Sequence, residues 1–214
     1  MFKKGNVAGL VAEFLGTALL VTMALVLFET TAVTYFVATS VAVTLGVIVM
    51  FFWGISGAHV NPGVTFGMWT ARHIGTLRAA GYIASQLLGG LAAWQLYQYL
   101  SDKNIPAHAG SFNTAMWVGE VIGTAILAAG FTAALTRGFD SLQSALTIGA
   151  SLFVGMMVAA IASAGYINPA LALGVRSWDS VYVLGPLVGG VIGVNLYTML
   201  FAPGRTFRVS RKKK

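Results

Sequence analysis

The sequence has no cysteine and few charged residues. The absence of cysteine among its 214 residues excludes a disulfide framework, thiolate metal sites and thiol chemistry. Charged residues make up 9% of the chain, whereas soluble domains carry about 25%. Hydrophobic residues make up 57%, which is above the level of soluble domains. This balance excludes the soluble α/β and all-β classes and indicates an integral membrane protein.

The apolar segments of the chain fall into two length classes. A helix needs about 20 residues to cross a hydrocarbon core of about 30 Å. Two stretches, 62–70 and 169–176, would each reach only about 12–14 Å as helices. We therefore expect them to act together as two half-helices that enter from opposite faces. Six longer segments are predicted to span the membrane, at about 8–28, 36–54, 79–100, 115–136, 142–163 and 181–201.

Lysines and arginines lie almost entirely on one side of the predicted spans. Only Lys103 and Arg176 fall on the other side. The positive-inside rule then predicts a multi-pass protein of the cell membrane with both termini in the cytoplasm. The net charge of +7 is explained by this topology rather than by a nucleic-acid surface, and we expect the basic tail at about 203–214 to contact anionic lipid.

An internal repeat divides the predicted spans into two halves. The segment Glu13–Thr17 (EFLGT) recurs 107 positions later as Glu120–Thr124 (EVIGT). The halves cover about 8–100 and 115–201, and each contains three spans and one half-helix. Since three is odd, the second half must be inverted relative to the first. The chain is thus predicted to be a single all-α channel domain with six transmembrane helices and two half-helices. Two glycine pairs also match, at an offset of 100: Gly89-Gly90 and Gly189-Gly190.

Two tripeptides, Asn61-Pro62-Gly63 and Asn168-Pro169-Ala170, start the two half-helices and are also 107 positions apart. Asn is a strong N-cap, and Pro suits the first helical position. Two helix N-termini that meet at mid-membrane would each bring about half a positive charge, and the Asn amides would add donors. Such a centre would hold a small neutral molecule and repel a cation. It would also reorient a chain of waters, which works against proton hopping.

At these residues the chain resembles the aquaporin and aquaglyceroporin (major intrinsic protein) family, whose signature is a pair of Asn-Pro-Ala motifs. The first loop, Ser56–Thr65 (SGAHVNPGVT), the second motif and the duplicated Glu-x-x-Gly-Thr carry the resemblance. It covers essentially the whole chain. The resemblance implies a homotetramer in the lipid bilayer, with one pore per protomer and with Asn61 and Asn168 as pore donors.

Polar side chains in and beside the predicted spans allow more than one interpretation. Glu13 and Glu120 lie inside spans and should face the protein interior. They are either a proton relay or, as the duplication and the resemblance favour, acceptors for the backbone of the half-helix loops. His59 is a candidate pH gate or metal ligand, but a lone His is more often structural or pore-lining. We expect His59 to line the pore, and Tyr166, its counterpart in the repeat, to replace it on the other side.

The outer constriction of the pore departs from the family pattern. Family members usually carry Arg directly after the second motif, where this chain has Leu171. Carried over from the family by their spacing from the two Asn residues, the other constriction positions implied by the resemblance are Val41, Gly165 and Met156 or its neighbour Gly155. A ring of such apolar or small residues should be wider and poorer in donors than a strict water filter. It also lacks a cationic barrier.

Two further departures concern the half-helices themselves. Arg176 lies five residues beyond Leu171 and points to a different face of the half-helix, so it should not simply replace the missing Arg. Its long side chain could still reach the mouth by snorkelling. Gly63 stands where the family has Ala, which removes one methyl group near the pore and loosens the start of that half-helix.

The sequence therefore predicts a passive channel for water and small uncharged solutes that excludes ions and protons. One alternative is a facilitator mainly for glycerol, urea, ammonia, hydrogen peroxide or a gas. Two alternatives of a different class are a coupled secondary transporter, with Glu13 and Glu120 as the candidate coupling site, and a non-conducting adhesion or scaffold protein. No cofactor, metal site, nucleic-acid partner or enzymatic activity is predicted.

Overall fold

Residues 4–108 and 110–202 are described by the computed structural model of the protein. Lys3 and the basic tail at 203–214, which belong to the predicted cytoplasmic surface, lie outside the described residues. Within the described ranges all regular secondary structure is helical. The helices are α1 (Lys4–Thr30), α2 (Thr34–Phe52), α3 (Pro62–Thr70), α4 (Thr76–Ser101), α5 (Thr114–Arg137), α6 (Ser141–Ala159), α7 (Pro169–Gly174) and α8 (Ser180–Phe201).

Six of these helices are long and correspond to the six predicted spans, while α3 and α7 are the two half-helices. Among the described residues, α1, α2, α5, α6 and α8 are long and apolar enough to cross a membrane. α4 has 26 residues, which is about 39 Å of helix, but Arg78 and three glutamines make it more polar. The predicted all-helical fold with six spans and two half-helices is confirmed.

The packing of the helices follows the repeat. α1 packs on α4 within the first half, α5 packs on α8 within the second, and α2 and α6 pack on each other across the two halves. Each half-helix packs against the opposite half of the molecule. α3 of the first half packs mainly against α8, and α7 of the second half packs mainly against α4. Each half-helix is thus held by the last span of the other half, and neither half can complete the centre of the molecule alone.

The two matching glycine pairs allow each half-helix to pack closely against the last helix of the opposite half. A Cβ atom on Gly190 of α8 would overlap the backbone carbonyl of Gly63 at the start of α3. A Cβ atom on Gly90 of α4 would overlap the carbonyl of Ala170 at the start of α7. The two contacts are equivalent in the repeat, so the same packing solution positions both half-helix starts.

Three helices end earlier than the sequence predicts, namely α2, which ends at Phe52 and not at 54, and α6 and α7. α7 ends at Gly174 because Arg176 adopts a left-handed backbone (φ 63°), which lets the N–H of Ser177 return to the carbonyl of Ala172 at 2.9 Å. The first half-helix ends in the same way at Thr70, with Arg72 in the left-handed conformation (φ 61°) and the N–H of His73 bonded to the carbonyl of Met68 at 2.9 Å. In both, a basic residue lies at the negative end of the helix dipole.

α6 ends at Ala159, four residues before the predicted boundary at 163. The chain turns there, and the hydroxyl of Ser163 donates to the Glu120 carboxylate at 2.7 Å. A tertiary hydrogen bond therefore draws the end of the predicted span out of the helix and into the loop that leads to α7.

Candidate functional site

The two half-helices begin at their asparagines, near the middle of the molecule. Asn61 Oδ1 accepts from the backbone N–H of Gly63 at 2.8 Å and of Val64 at 3.4 Å. Asn168 Oδ1 accepts from the two equivalent N–H groups of α7, at 3.0 and 3.4 Å. Each cap satisfies donors that a helix start otherwise leaves without partners. The first helical residues are Pro62 and Pro169.

The same two asparagines join the halves of the molecule to each other. Asn61 Nδ2 donates to the carbonyl of Ile167 at 2.8 Å, and Asn168 Nδ2 donates to the carbonyl of Val60 at 3.0 Å. Val60 and Ile167 both have a φ of 42°, which is an outlier for a β-branched residue. Strained backbone of this kind is found at functional sites, where the surrounding structure holds it in place. Here the strained residues are the two whose carbonyls accept hydrogen bonds from the Asn side-chain amides.

Glu13 anchors the loop before α3 and is fully buried. One carboxylate oxygen accepts from the backbone N–H of His59 at 3.0 Å. The other accepts from the N–H of Val60 at 2.6 Å and from Gln86 Nε2 at 2.7 Å. The Gln86 amide also donates to the hydroxyl of Thr65 at 2.8 Å. Buried carboxylates require such partners, and these tie α1, the loop and α4 together.

Glu120 plays the equivalent part for the loop before α7. Its Oε1 accepts from the N–H of Tyr166 at 3.1 Å and from the Ser163 hydroxyl at 2.7 Å. Its Oε2 accepts from the N–H of Ile167 at 2.7 Å. Glu120 thus accepts from a serine of its own loop, and Glu13 accepts from a glutamine of a neighbouring helix.

Two cavities lie on opposite sides of the asparagine centre. The near cavity, on the side where α1 begins, has a volume of about 290 Å³. His59 lines it, and its Nδ1 lies 3.1 Å from the Thr65 hydroxyl while its ring packs edge-on against Tyr82 and Phe131. Its other lining residues are Trp53, Gly54, Gly57, Met68, Phe131, Ala134, Leu135, Gly138 and Phe139.

The far cavity, on the side where α1 ends, has a volume of about 300 Å³. It is lined by Phe28, Thr31, Ala32, Thr34, Val37, Met156, Ala164 and Tyr166. The repeat relates the two cavities, because lining residues recur at the offset of 107. The matching pairs are Phe28 and Leu135, Thr31 and Gly138, Ala32 and Phe139, Gly57 and Ala164, and His59 and Tyr166.

The residues assigned to the outer constriction are all buried. Val41, Met156 and Leu171 are only 2 to 3% exposed and belong to one apolar cluster. Gly165 has a φ of 69°, and a Cβ atom on it would lie 3.0 Å from the carbonyl of Met156. Gly155 instead faces α5, since a Cβ atom there would meet Gly123 at 2.5 Å. Of the two alternatives at this position, Met156 is the one that lines the far cavity.

Arg176 is directed away from the far cavity. Its guanidinium lies 4.3 Å from the ring centroid of Trp94 on α4, which is a cation–π contact. Its carbonyl accepts from the N–H of His108 at 2.8 Å. The side chain is therefore committed to the flank of α4, and it is not among the residues that line the cavity.

Sequence reasoning missed the partners of the two carboxylates. Gln86 is fully buried in α4, and an uncharged polar residue in a predicted span is a signal that could have identified it. Ser163 is the repeat counterpart of Ser56, and both hydroxyls accept from a backbone N–H two residues later. A residue-by-residue comparison of the two halves could therefore have found Ser163.

No metal site is formed by the part of the chain that the structure describes. Groups of three or more His, Asp or Glu side chains that could hold an ion do not occur there. The contacts of His59 are with Thr65 and with two aromatic rings. The described site is thus built from hydrogen-bond donors, helix ends and apolar walls.

Comparisons with known proteins agree with this architecture. The family model for the major intrinsic proteins matches residues 2–197. A probable aquaporin TIP4-1 of Oryza sativa subsp. japonica is 34% identical over 182 residues, which cover 79% of this chain and 72% of the relative. Aquaporin-2 of Rattus norvegicus is 30% identical over 182 residues, which cover 78% of this chain and 67% of the relative.

A similar fold is also found among solved structures. The X-ray structure of the aquaglyceroporin from Plasmodium falciparum superposes with a TM-score of 0.74. The match covers 93% of this chain and 96% of the other, at 21% sequence identity. At that identity the likeness shows the arrangement of helices and not the cargo.

Proposed function

The chain belongs to the major intrinsic protein family, and from that premise we propose that each protomer contains a pore through the near cavity, the Asn61 and Asn168 centre and the far cavity. As a member of this family the protein is a passive membrane channel for water and small uncharged solutes. The family consists of channels, and we propose that this chain has no enzymatic activity. The observation that carries the proposed route is the reciprocal pairing of each Asn amide with the opposite loop.

The asparagine centre is proposed to select against ions and protons. Each side-chain amide has two N–H groups, and one of them is used in the bond across the centre. The second N–H is left to donate to a molecule in the pore. Two half-helix starts with about +0.5 charge each then repel cations, and they orient a water so that its hydrogens point away from the centre. Both effects follow from backbone geometry and require no ionised side chain.

The constriction of Val41, Met156, Gly165 and Leu171 is proposed to admit solutes beyond water. None of these side chains offers a hydrogen-bond donor or a charge, and Arg176 is held on Trp94. A facilitator mainly for glycerol, urea, ammonia, hydrogen peroxide or a gas is the second candidate, and the same apolar ring favours it. His59 adds polar atoms to the lining on the near side, and Tyr166, Thr31 and Thr34 add them on the far side.

A coupled transporter is the less favoured alternative because of how its candidate carboxylates are bonded. Each of Glu13 and Glu120 accepts three hydrogen bonds, and each is fully buried. A coupling site would have to exchange protons or ions with water on alternating sides. These carboxylates instead hold backbone that must stay in place for the pore to exist.

The protein is a multi-pass membrane protein, and its finer placement is part of the proposal. We place both termini in the cytoplasm, which makes the near cavity the inner mouth and the far cavity the outer mouth. We also propose a homotetramer in the lipid bilayer. The exposed apolar side chains along α1 and α2, including Leu15, Val43 and Phe51, then face lipid or neighbouring protomers.

Flux measurements on purified protein in liposomes test the proposed function. We expect faster shrinkage than in empty liposomes under an osmotic gradient, uptake of at least one neutral solute among glycerol and urea, and little acidification of an internal pH dye. Flux at the level of empty liposomes would favour the adhesion or scaffold alternative. Large proton currents would contradict exclusion by the half-helix ends. Solute accumulation that depends on a proton gradient and is lost in Glu120→Gln would favour the transporter.

The variant Leu171→Arg tests the role of the apolar ring. If the ring sets the solute range, an added cation with several donors should reduce solute flux more than water flux. Leu100→Arg is the matched control, since Leu100 is 70% exposed at the end of α4 and far from the centre. If Leu171→Arg loses water and solute flux equally while Leu100→Arg keeps both, the pore is blocked or misfolded. That result would not support a role of the apolar ring in setting the solute range.

A further inference from the structure

Tyr166 is the bulkiest polar residue in the lining of the far cavity. It lies two residues before Asn168, on the loop that carries the chain from the outer surface to the centre. Its neighbour in the loop is Gly165, which has no side chain, so Tyr166 supplies the bulk at this level of the pore wall. Val37 and Met156, which are apolar and buried, line the same cavity.

The ring of Tyr166 is held from several directions at once. It packs against Phe28 with centroids 5.6 Å apart and against Tyr182 with centroids 4.5 Å apart. Its hydroxyl lies 3.4 Å from the hydroxyl of Ser177, beyond the outer end of α7. Its backbone N–H is bonded to Glu120. A side chain with two rotatable bonds and contacts on this many sides has little freedom to swing aside.

The supports of Tyr166 are themselves fixed. Tyr182 accepts a hydrogen bond at its hydroxyl from the N–H of Ala164 at 3.2 Å, so the second ring is tied to the same loop. Ser177 is 5% exposed and lies in the turn that caps α7. The aromatic stack therefore runs from α1, through the loop, to α8, and it links three separate elements around the far cavity.

We propose that Tyr166 sets the upper size limit within the range of solutes that the apolar constriction admits, so that its ring slows glycerol-sized solutes more than water. This inference rests on the proposed pore and adds a residue outside the ring of Val41, Met156, Gly165 and Leu171. The apolar residues of the constriction offer no donor and no charge, and the phenol ring of Tyr166 would add a fixed, bulky wall beside them. Pore diameter and the groups along the wall decide selectivity in such channels.

The test compares glycerol and water permeability in liposomes for substitutions of Tyr166. Tyr166→Ala removes the ring, and the ratio of glycerol to water permeability should rise by about tenfold or more, because a steric difference of one methylene group already changes discrimination by about that factor. Tyr166→Phe keeps the ring and loses only the hydroxyl, so its ratio should stay at the wild-type value. Tyr99→Ala is the matched control, since Tyr99 is 84% exposed at the end of α4.

A second variant keeps the test informative if Tyr166→Ala fails to fold. Tyr166→His introduces the residue that the first repeat has at the equivalent position, so the loop should tolerate it. Its ratio should fall between those of the wild type and Tyr166→Ala. Thermal melting in detergent identifies misfolded variants, and a purely structural role for Tyr166 would lower the melting temperature without changing the ratio.

The outcomes separate this inference from the proposed function. If the wild type conducts water and both Tyr166→Ala and Tyr166→His keep its glycerol-to-water ratio, the size limit lies elsewhere while the pore proposal stands. If Tyr166→Phe shifts the ratio as far as Tyr166→Ala does, the hydroxyl and not the ring is responsible, and the steric proposal is overturned. If the wild type shows no flux above empty liposomes, the proposed function itself has failed.

Discussion

Single side chains in this channel mostly act by fixing backbone. Glu13 and Glu120 accept the N–H groups of the two loops, and Asn61 and Asn168 both cap a half-helix and bond the opposite loop. Each is buried, so a lost partner would leave a desolvated polar group rather than a hydrated one. At the residue scale, a change to a carboxylate that anchors a loop should affect mainly stability. A change to an Asn amide at the centre should affect mainly selectivity.

Replacing Glu120 by Gln should destabilise the protein by about 1–3 kcal/mol, because one acceptor oxygen becomes an amide that faces backbone donors. Glu29→Gln is the control. Glu29 forms an exposed ion pair with Lys103 at 3.6 Å, which should contribute less than about 1 kcal/mol. Thermal melting of both variants in detergent checks the difference. Equal melting temperatures would contradict the assignment of Glu120 as a loop anchor.

Replacing Asn168 by Asp should raise cation leakage. The cap is kept, since an Asp oxygen can still accept from α7, but the donor to Val60 is lost and a negative charge is added. That charge is about equal and opposite to the summed charge of two half-helix starts. Proton and sodium flux in liposomes measure the leak. Asn113→Asp is the control, because Asn113 caps α5 at an exposed position. If Asn168→Asp conducts neither protons nor sodium, the proposal that the centre excludes cations electrostatically is wrong.

The half-helices are the elements on which the site depends, and glycine contacts position them. α3 begins against Gly190 of α8, and α7 begins against Gly90 of α4. The half-helices are also too short to be stable alone, since isolated helices need about 12–15 residues. Their conformation is therefore imposed by caps and by the long helices around them.

Replacing Gly190 by Ala should displace α3 and reduce water flux together with thermal stability. The added methyl group would overlap the Gly63 carbonyl, and overpacking of this kind costs about 1–3 kcal/mol. Gly75→Ala is the matched control, because a Cβ atom there would meet nothing within 4 Å. Flux and melting curves on the same preparations test this. Wild-type behaviour of Gly190→Ala would show that α3 tolerates a shift.

Most of the elements were predictable because lipid imposes simple rules of length and polarity. The starts of both half-helices were readable from Asn-Pro, since capping is local. The ends of α6 and α7 were not, because Ser163 leaves its helix for Glu120 and Arg176 adopts a conformation usual for glycine. The aromatic stack on Tyr166 was also invisible, because Phe28 and Tyr182 lie far from it in sequence and meet it only in the fold.

At the scale of the whole molecule, the inverted repeat fixes which surfaces share a side of the membrane. The near cavity and the turn at Arg137 lie on one side, while the far cavity and Lys103 lie on the other. Because the sequence has no cysteine, a maleimide label on this chain reports only the single cysteine that is introduced.

An impermeant maleimide applied to intact cells should label Lys103→Cys and leave Arg137→Cys unlabelled until the membrane is opened. Both positions are exposed, so accessibility depends on the side of the membrane alone. The positive-inside rule gives this orientation. The reverse labelling pattern would overturn the cytoplasmic placement of the termini.

The bonds across the centre also constrain how the protein is made. The carbonyl of Val60 receives its donor from Asn168, 108 residues later in the chain, and α3 meets α8 later still. A ribosome that adds about 5–20 residues per second needs roughly 5–20 seconds for that distance. During this interval the first loop has polar backbone without its final partner, which hydrocarbon does not tolerate. The first loop therefore needs water, other protein or lipid head groups around it until the second half of the chain is in place.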